Sequence, residues 1–221
     1  MCFILPRMGA GVFVSDNRLQ FSRSLAEVLR NQGCRVYLSA HEAARGDVPV
    51  RDGLVYWNRA SPFSLRGILL QIENLGIVLE TAVFVFDAQS YVDLYPGDDF
   101  SSIDRISVDL IVANMALVHM LTAHFVSQAR GKLLFVHRET SAHCASAMVS
   151  VASAAFVRMA EECVLGLARK DAPRMQTLLI RLDGVDDDSY TQWIATQLAS
   201  PVLSRGPGRW VRAGQRSFFG K

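Results

Sequence analysis

The sequence has little net charge, no paired cysteine motif and no long uninterrupted apolar run. Its 23 lysine and arginine residues nearly balance 21 aspartate and glutamate residues, which gives a formal charge of +2. A balance this close excludes the basic footprint of a nucleic-acid-binding domain. The 4 cysteines form no CxxC pair. We therefore expect no nucleic acid partner, no metal site and no disulfide framework.

The apolar segments are interrupted too often to predict a transmembrane helix. Such a helix needs about 20 consecutive, mostly apolar residues. The apolar start, Met1–Met8, is too short for a signal peptide and has no charged leader. We therefore predict a soluble, cytoplasmic protein without a membrane partner.

Short apolar runs alternate regularly with longer amphipathic stretches. The runs predict seven strands, at Gly11–Ser15, Cys34–Ala40, Gly53–Trp57, Thr81–Phe86, Lys132–Val136, Gln176–Leu182 and Trp210–Phe219. The stretches between them predict helices at Asp16–Asn31, Ser64–Leu75, Ile103–Gln128, Ala147–Arg169 and Ser189–Leu198. This alternation predicts one α/β domain over residues 1–221. We expect a Rossmann-like, doubly wound parallel sheet of about seven strands with helices on both faces.

The order and spacing of these elements resemble the short-chain dehydrogenase/reductase family over nearly the whole chain. The best matching stretches are GVFVSDNRLQFSRSLAEVLRNQGCRVYLSA, ARGKLLFV and VASAAFVRMAEECVLGLAR, and the end, GRWVRAGQRSFFGK, is similar to the family's last strand. The resemblance implies the fold above, and in active family members it implies hydride transfer with NAD(P).

The family's cofactor loop departs from its pattern here. The loop is written T-G-x-x-x-G-x-G, and its fixed positions fall on Ser15, Asp16, Gln20 and Ser22. The missing glycines normally allow a tight turn and let a diphosphate rest on bare backbone at the helix N-terminus. Asp16 places a carboxylate near that anion and is instead predicted to cap the helix. We expect no cofactor. NAD(P) binding, with a phosphate held by Arg18, is the alternative.

The family's catalytic Asn, Ser, Tyr and Lys are also replaced. Their positions fall, in that order, on Leu110 (with Asn114 one turn away), on His137 or Arg138, on Ser150 and on Ala154. A serine has a pKa far too high for the acid/base role of the tyrosine, and alanine offers no charge. We therefore predict no catalytic residue. The neighbouring pair His143 and Cys144 is a less favoured nucleophile candidate.

Two further regions near the expected active site differ from the family. Asp87 occupies the first position of the strand-four motif N-A-G, and with His137 and Arg138 it could form either a small polar pocket or a salt-bridged plug. After the sixth strand, Asp183 and Gly184 lead almost directly into the acidic run 186–188. That run is predicted to begin a helix, and the segment that usually covers the substrate is predicted to be missing.

Family members associate through their two long helices, which implies a homodimer or homotetramer here. On the second long helix, Ala147–Arg169, apolar side chains spread over roughly 180° of the helical wheel. A helix that covers only its own sheet needs roughly 100°. The candidate interface residues are Met148, Ala152, Phe156, Met159 and Cys163. The alternative is that a neighbouring helix of the same chain covers them.

The favoured hypothesis is a catalytically inactive protein of this type that acts by protein–protein interaction or regulation. A divergent NAD(P)-dependent oxidoreductase and a nucleotide- or metabolite-binding sensor are the alternatives. The combined loss of the loop glycines and of the Tyr/Lys pair disfavours hydride transfer. The identity of a partner does not follow from the fold.

Overall fold

The structure, a computed structural model, describes residues 11–41, 53–97, 99–139, 146–169, 175–203 and 208–213. The strands are β1 (Gly11–Val14), β2 (Arg35–His41), β3 (Leu54–Trp57), β4 (Leu79–Asp87), β5 (Gly131–Arg138), β6 (Met175–Leu182) and β7 (Trp210–Arg212). The α-helices are α1 (Gln20–Asn31), α2 (Pro62–Glu73), α3 (Ala88–Leu94), α4 (Phe100–Ile106), α5 (Ala113–Ser127), α6 (Ala147–Arg169) and α7 (Asp187–Ala199). A π-helical segment, Ser107–Val112, joins α4 to α5.

All strand pairs are parallel, and the sheet order is β3-β2-β1-β4-β5-β6-β7. The predicted Rossmann-like α/β fold is therefore confirmed. Helices α1 and α7 pack against each other on one face, while α2, α5 and α6 pack on the other. The strand order reverses between β1 and β4, and such a reversal opens a crevice at the carboxyl ends of the strands.

The observed elements follow the predicted ones closely, with two differences near the crevice. Helix α6 has the predicted bounds, and Gly33 ends α1 with a φ of 84°, a conformation that favours glycine. Helix α1, however, begins only at Gln20, and the short helix α3 was not predicted. The last strand ends at Arg212, and the rest of the predicted Trp210–Phe219 strand lies outside the described residues.

The continuous helix Phe100–Ser127 is longer and more apolar than the sequence analysis expected. By length and composition alone it could cross a membrane, with 28 residues and a mean hydropathy of 1.7 in its most apolar window. In this fold it lies on the sheet and buries Leu117, Leu121 and Phe125. A core position accounts for part of its apolar character. Its outer side keeps an exposed apolar stripe that includes Val112, Met115 and Val126.

The candidate interface residues of α6 turn toward the chain's own core. Ala152 and Phe156 are buried, and the Phe156 ring packs against Phe86 with ring centroids 5.2 Å apart. Met148, Met159 and Cys163 are partly buried against the same core. Ala152 and Phe156 are therefore covered within one chain, whereas Met148, Met159 and Cys163 keep some exposed surface. Because a carboxylate at position 156 would enter this core, Phe156→Asp would test folding rather than assembly.

Candidate functional site

The loop between β1 and α1 keeps a glycine-like turn although it contains no glycine. Asp16 has a φ of 59°, a left-handed conformation that aspartate tolerates better than most residues. Its backbone N–H donates to Ser39 Oγ at 2.8 Å. Ser22 donates from its hydroxyl to the Ser15 carbonyl oxygen at 2.8 Å, which ties the first turn of α1 to the end of β1. The Gln20 side chain lies at the surface, hydrogen-bonded to Ser24.

Asp16 does not cap α1, contrary to the prediction. The N-cap residue of α1 is Leu19, which makes no side-chain cap hydrogen bond. The Asp16 carboxylate instead accepts from Arg18 Nη2 at 2.6 Å and from the Tyr91 hydroxyl at 2.6 Å. Because α1 starts four residues after Asp16, this carboxylate lies too early in the chain to reach the first free N–H groups of the helix.

Four buried or half-buried side chains form what we call the arginine–aspartate cluster: Asp16, Arg18, Arg59 and Asp109. Arg18 Nη1 donates to Asp109 Oδ2 at 2.5 Å, and Arg59 forms a short ion pair with the same carboxylate. Arg59 Nη1 also lies 3.9 Å from Asp16 Oδ2. The side chains of Asp16 and Arg59 are 3% and 6% exposed. Two cations and two anions therefore balance each other largely out of contact with water.

The π-helical segment brings Asp109 into this cluster. Arg59 Nη2 donates both to the Asp109 carbonyl oxygen and to Asn114 Oδ1, each at 2.8 Å. Asn114 in turn donates to the Leu110 carbonyl oxygen at 2.8 Å. A π-helical turn shifts the hydrogen-bond pattern of a helix and is frequent at functional sites. Leu110, at the family's Asn position, is buried in the core, whereas Asn114, one turn later in α5, contacts Arg59.

The cluster keeps its members charged. Burial opposes ionisation of Asp16, but the hydrogen bond from Arg18 and the charge of Arg59 outweigh it and hold the pKa of Asp16 well below its usual value. The pKa of Asp109 is lowered for the same reasons, against its own burial. Burial, followed by the charge of Asp109, raises the pKa of Tyr95 to about 12. The Arg18 guanidinium donates to both carboxylates and to the Tyr95 hydroxyl. Its donors are thus engaged within the chain.

A second set of charges lies across the crevice, at the carboxyl ends of β4 and β5. Arg138 donates to Asp87 at 3.0 Å, forms a short ion pair with Asp187 of α7, and lies 5.4 Å above the Phe21 ring. Asp87 also caps α3 by accepting from the Ser90 N–H. The sequence left open whether Asp87, His137 and Arg138 form a pocket or a plug. In the structure Asp87 and Arg138 are ion-paired, and none of the three lines either of the two cavities described below.

His137 lies on the other face of the sheet, under α6. Its Nε2 is 2.7 Å from Ser153 Oγ, and its ring stacks near Phe156. Burial, followed by the nearby charge of Arg181, lowers the pKa of His137 to about 4. At neutral pH this imidazole is therefore uncharged and part of the core.

The remaining predicted positions lie apart from both charged sets. Ser150 and Ala154 are exposed on α6. The connection from β6 to α7 spans only residues 183–186. As predicted, its acidic run begins the helix, because Asp186 accepts from the Ser189 N–H. His143 and Cys144 lie outside the described residues.

Two cavities accompany these groups. The larger, of about 520 Å³, opens beside the arginine–aspartate cluster, and its lining includes Arg18, Asn58, Arg59, Tyr95, Arg105 and Val108. The smaller, of about 130 Å³, lies near the amino end of β4, between Leu69, Ile77 and His124. The larger cavity thus occupies the β1–β3 side of the crevice, where open α/β sheets place ligands.

Two of the four cluster residues, Arg59 and Asp109, were not predicted to belong to the site, and neither were the adjoining Tyr91 and Tyr95. One signal was available, because Arg59 follows the third predicted strand and the carboxyl ends of parallel strands meet at one edge. The position of Asp109 could not be read in this way, since it depends on the π-helical turn.

Several solved structures share this fold. Enoyl-[acyl-carrier-protein] reductase (NADH) from Aquifex aeolicus VF5 superposes with a TM-score of 0.70 at 11% identity, covering 92% of this chain and 94% of that one. A metagenomic short-chain oxidoreductase in complex with NADP gives 0.70 at 11% identity, covering 94% and 98%. A short-chain dehydrogenase/reductase family oxidoreductase from Brucella ovis, with a partially ordered NAD, gives 0.68 at 10% identity, covering 93% and 100%. No protein-family model matches the sequence.

These similarities show that the chain has the fold of short-chain dehydrogenases/reductases, as the resemblance implied. At 10 to 13% identity they extend no further than the fold. Two of the three structures named above contain NADP or NAD. The expectation that this chain binds no cofactor gains no support from them.

Proposed function

We propose that this chain is a non-catalytic protein with the short-chain-dehydrogenase fold, which acts by binding a regulatory partner or a small ligand. The observation that carries the proposal is the arginine–aspartate cluster at the β1–α1 loop. Asp16 is buried there, ionised and paired with Arg18 and Arg59. The chain thereby supplies its own charged groups at the loop where the family binds a diphosphate.

The residues of this loop do not fit an NAD(P) diphosphate. The Asp16 carboxylate would repel the phosphates, and the donors of Arg18 already serve Asp16, Tyr95 and Asp109. On the β4–β5 side, Arg138 is held between Asp87 and Asp187. Neither Ser150 nor Ala154 supplies an acid/base group for proton transfer. We therefore route no chemical step through a dinucleotide.

The second candidate is a divergent NAD(P)-dependent oxidoreductase, and the structural similarities favour it. The similar structures include complexes with NADP and NAD. The turn at Asp16 keeps a positive φ, and a cavity of about 520 Å³ remains on the adjoining side of the crevice. If the ion pairs rearranged on binding, part of a dinucleotide could enter there.

Calorimetric titration of the purified protein with NADPH and with NADH separates the two candidates. The non-catalytic proposal expects no saturable binding at micromolar concentration and no NADPH oxidation with simple ketones. NADPH oxidation would overturn the proposal, and micromolar binding without oxidation would show that the residues of this loop do accept a dinucleotide. The variant Asp16→Asn is the matched control for repulsion by the loop. A gain of nucleotide binding in that variant alone would identify the carboxylate as the obstacle.

We further propose that the protein forms a homodimer or homotetramer in the cytoplasm, through the exposed stripe of the long helix rather than through Phe156. Val112, Met115 and Val126 follow one another at helical spacing and are 57%, 52% and 41% exposed. Val151 on α6 is 52% exposed. Met115→Glu should convert the oligomer to monomers, because an interface would desolvate the carboxylate. Light scattering after size exclusion decides this, and a monomeric wild-type protein would refute it.

A further inference from the structure

The larger cavity differs from the rest of the crevice because it is open to solvent and is lined by one arginine that is free to pair with a ligand. Residues 58–60 after β3 and the helix α4 form much of its wall. Leu94 and Val108 contribute apolar surface, and Asn58 contributes an amide group. Ligand sites commonly combine apolar walls with a few placed polar groups, and typical volumes of about 300 to 1,000 Å³ include this one.

Only one of the three arginines that line the cavity is free to pair with a ligand. Arg18 and Arg59 are bound to Asp16 and Asp109 and contribute no net charge. Among the residues that the structure describes, the Arg105 side chain has no ion-pair or hydrogen-bond partner, and its contact is with an aromatic ring. Its guanidinium lies 4.9 Å from the centre of the Tyr95 ring. That ring is buried and held by Arg18 and Asp109, so it gives Arg105 a fixed platform.

Carboxylates on the same wall limit how much negative charge a ligand can bring. Asp104 and Asp109 both line the cavity, and Asp16 lies behind Arg18. One anionic group can pair with Arg105. A diphosphate would place its second charge near these carboxylates, which is unfavourable.

We propose that this cavity binds a small monoanionic ligand, an organic carboxylate with an apolar body, through an ion pair with Arg105. The apolar body lies along Leu94 and Val108. This proposal rests on the proposed function, since it requires that no dinucleotide occupies the crevice. It also gives that function a ligand class.

Calorimetry with octanoate as the probe tests the ion pair. Octanoate should bind with one site per chain, and its uncharged analogue octanamide should bind at least tenfold more weakly. Arg105→Ala should weaken octanoate binding about tenfold, because it removes the cationic partner of the carboxylate. Arg105→Lys should retain most of the affinity. Arg66→Ala, which removes an exposed arginine of α2 outside the cavity, should change nothing.

A second variant tests the location independently of charge. Val108→Phe adds volume at the cavity wall and should weaken octanoate and octanamide alike. The proposal is overturned if octanoate does not bind, if Arg105→Ala binds it as wild type does, or if octanamide binds equally well. Titrating NADPH into the octanoate complex separates the two proposals. Displacement at micromolar NADPH would show that a dinucleotide enters the crevice and would remove the premise on which both proposals are argued, whereas absence of octanoate binding refutes only the ligand class.

Discussion

Both sides of the crevice contain paired arginines and aspartates, but a cavity remains beside the pairs on one side, whereas an ion-paired arginine spans the other. On the β1–β3 side, two arginines and two aspartates neutralise each other, and a cavity of about 520 Å³ remains beside them. On the β4–β5 side, Arg138 lies between Asp87 and Asp187. A resemblance to the dehydrogenase family implies one continuous groove for a dinucleotide. In this chain the two sides differ: a cavity remains on one side, and Arg138 is ion-paired to two aspartates on the other.

The difference comes from where each arginine finds its partners. Arg18 pairs with Asp16 of the β1–α1 loop, and Arg59 pairs with Asp109 of the long helix. The cavity lies beside these pairs. Arg138 instead reaches across the crevice to α7 and lies over the Phe21 ring.

The largest expected effect comes from breaking the balance of the first side with Arg59→Met. The change leaves two buried carboxylates facing one arginine. Removing one partner of a buried pair costs about 3 to 5 kcal/mol. Urea denaturation should show a loss of this size in the free energy of unfolding. Arg66→Met on the surface of α2 serves as the control and should stay within about 0.5 kcal/mol of wild type.

A double variant sharpens this result. Adding Asp109→Asn to Arg59→Met removes one charge of each sign, so it should recover part of the loss. If Arg59→Met cost no more than the Arg66 control, the cluster would not be a balanced buried unit.

The second prediction concerns His137, which lies under α6 and is uncharged at neutral pH. Its burial should make the free energy of unfolding depend on pH. Its pKa falls from 6.5 to about 4 in the folded protein, because burial disfavours the charged ring. Between these values the unfolded chain binds more protons, so stability is full above pH 6.5 and is lost as pH falls toward 4. The total change is about 3 kcal/mol. The pKa values of Asp16 and Asp109 are lowered, so their contributions are lost only at lower pH.

Denaturation at a series of pH values with His137→Phe checks this assignment. The variant should lose most of the slope between pH 4 and 6.5, whatever its absolute stability without the Ser153 contact. An unchanged slope would show that another group, such as the half-buried His124, causes it.

The fold was predictable because its signals are local and repeated. The apolar runs of the strands and the amphipathic pattern of Ala147–Arg169 each depend on nearby residues, and the predicted bounds of α6 agree with the structure. The site depends on contacts between distant residues. Arg18 meets Asp109 across 91 positions, and Asp109 lies in a π-helical turn that the sequence pattern did not indicate. The prediction that Asp16 caps α1 was wrong for the same reason, because it assumed a partner within the adjoining helix.

A smaller effect should separate the two partners of Arg138. The Asp187 side chain is 25% exposed, whereas that of Asp87 is 3% exposed. Asp187→Asn should therefore cost about 1 kcal/mol, because water can replace part of a half-exposed pair. Asp87→Asn should cost more, since it weakens the more deeply buried of the two ion pairs, while asparagine can still cap α3. Equal losses in urea denaturation would contradict the proposed difference in burial.

The smallest expected effect is on activity, in the double variant Ser150→Tyr with Ala154→Lys. Both positions are exposed, so the free energy of unfolding should change by no more than about 0.5 kcal/mol. The variant restores the family's Tyr and Lys, but it leaves Asp16 and Arg18 paired at the loop and Arg138 held between two aspartates. Catalysis requires the cofactor to be positioned as well as an acid to be present, and the effects of such residues are not additive. NADPH oxidation with a simple ketone should therefore stay at background. Activity in this variant would mean that the two sides of the crevice still accept a dinucleotide together, despite the ion pairs on each side.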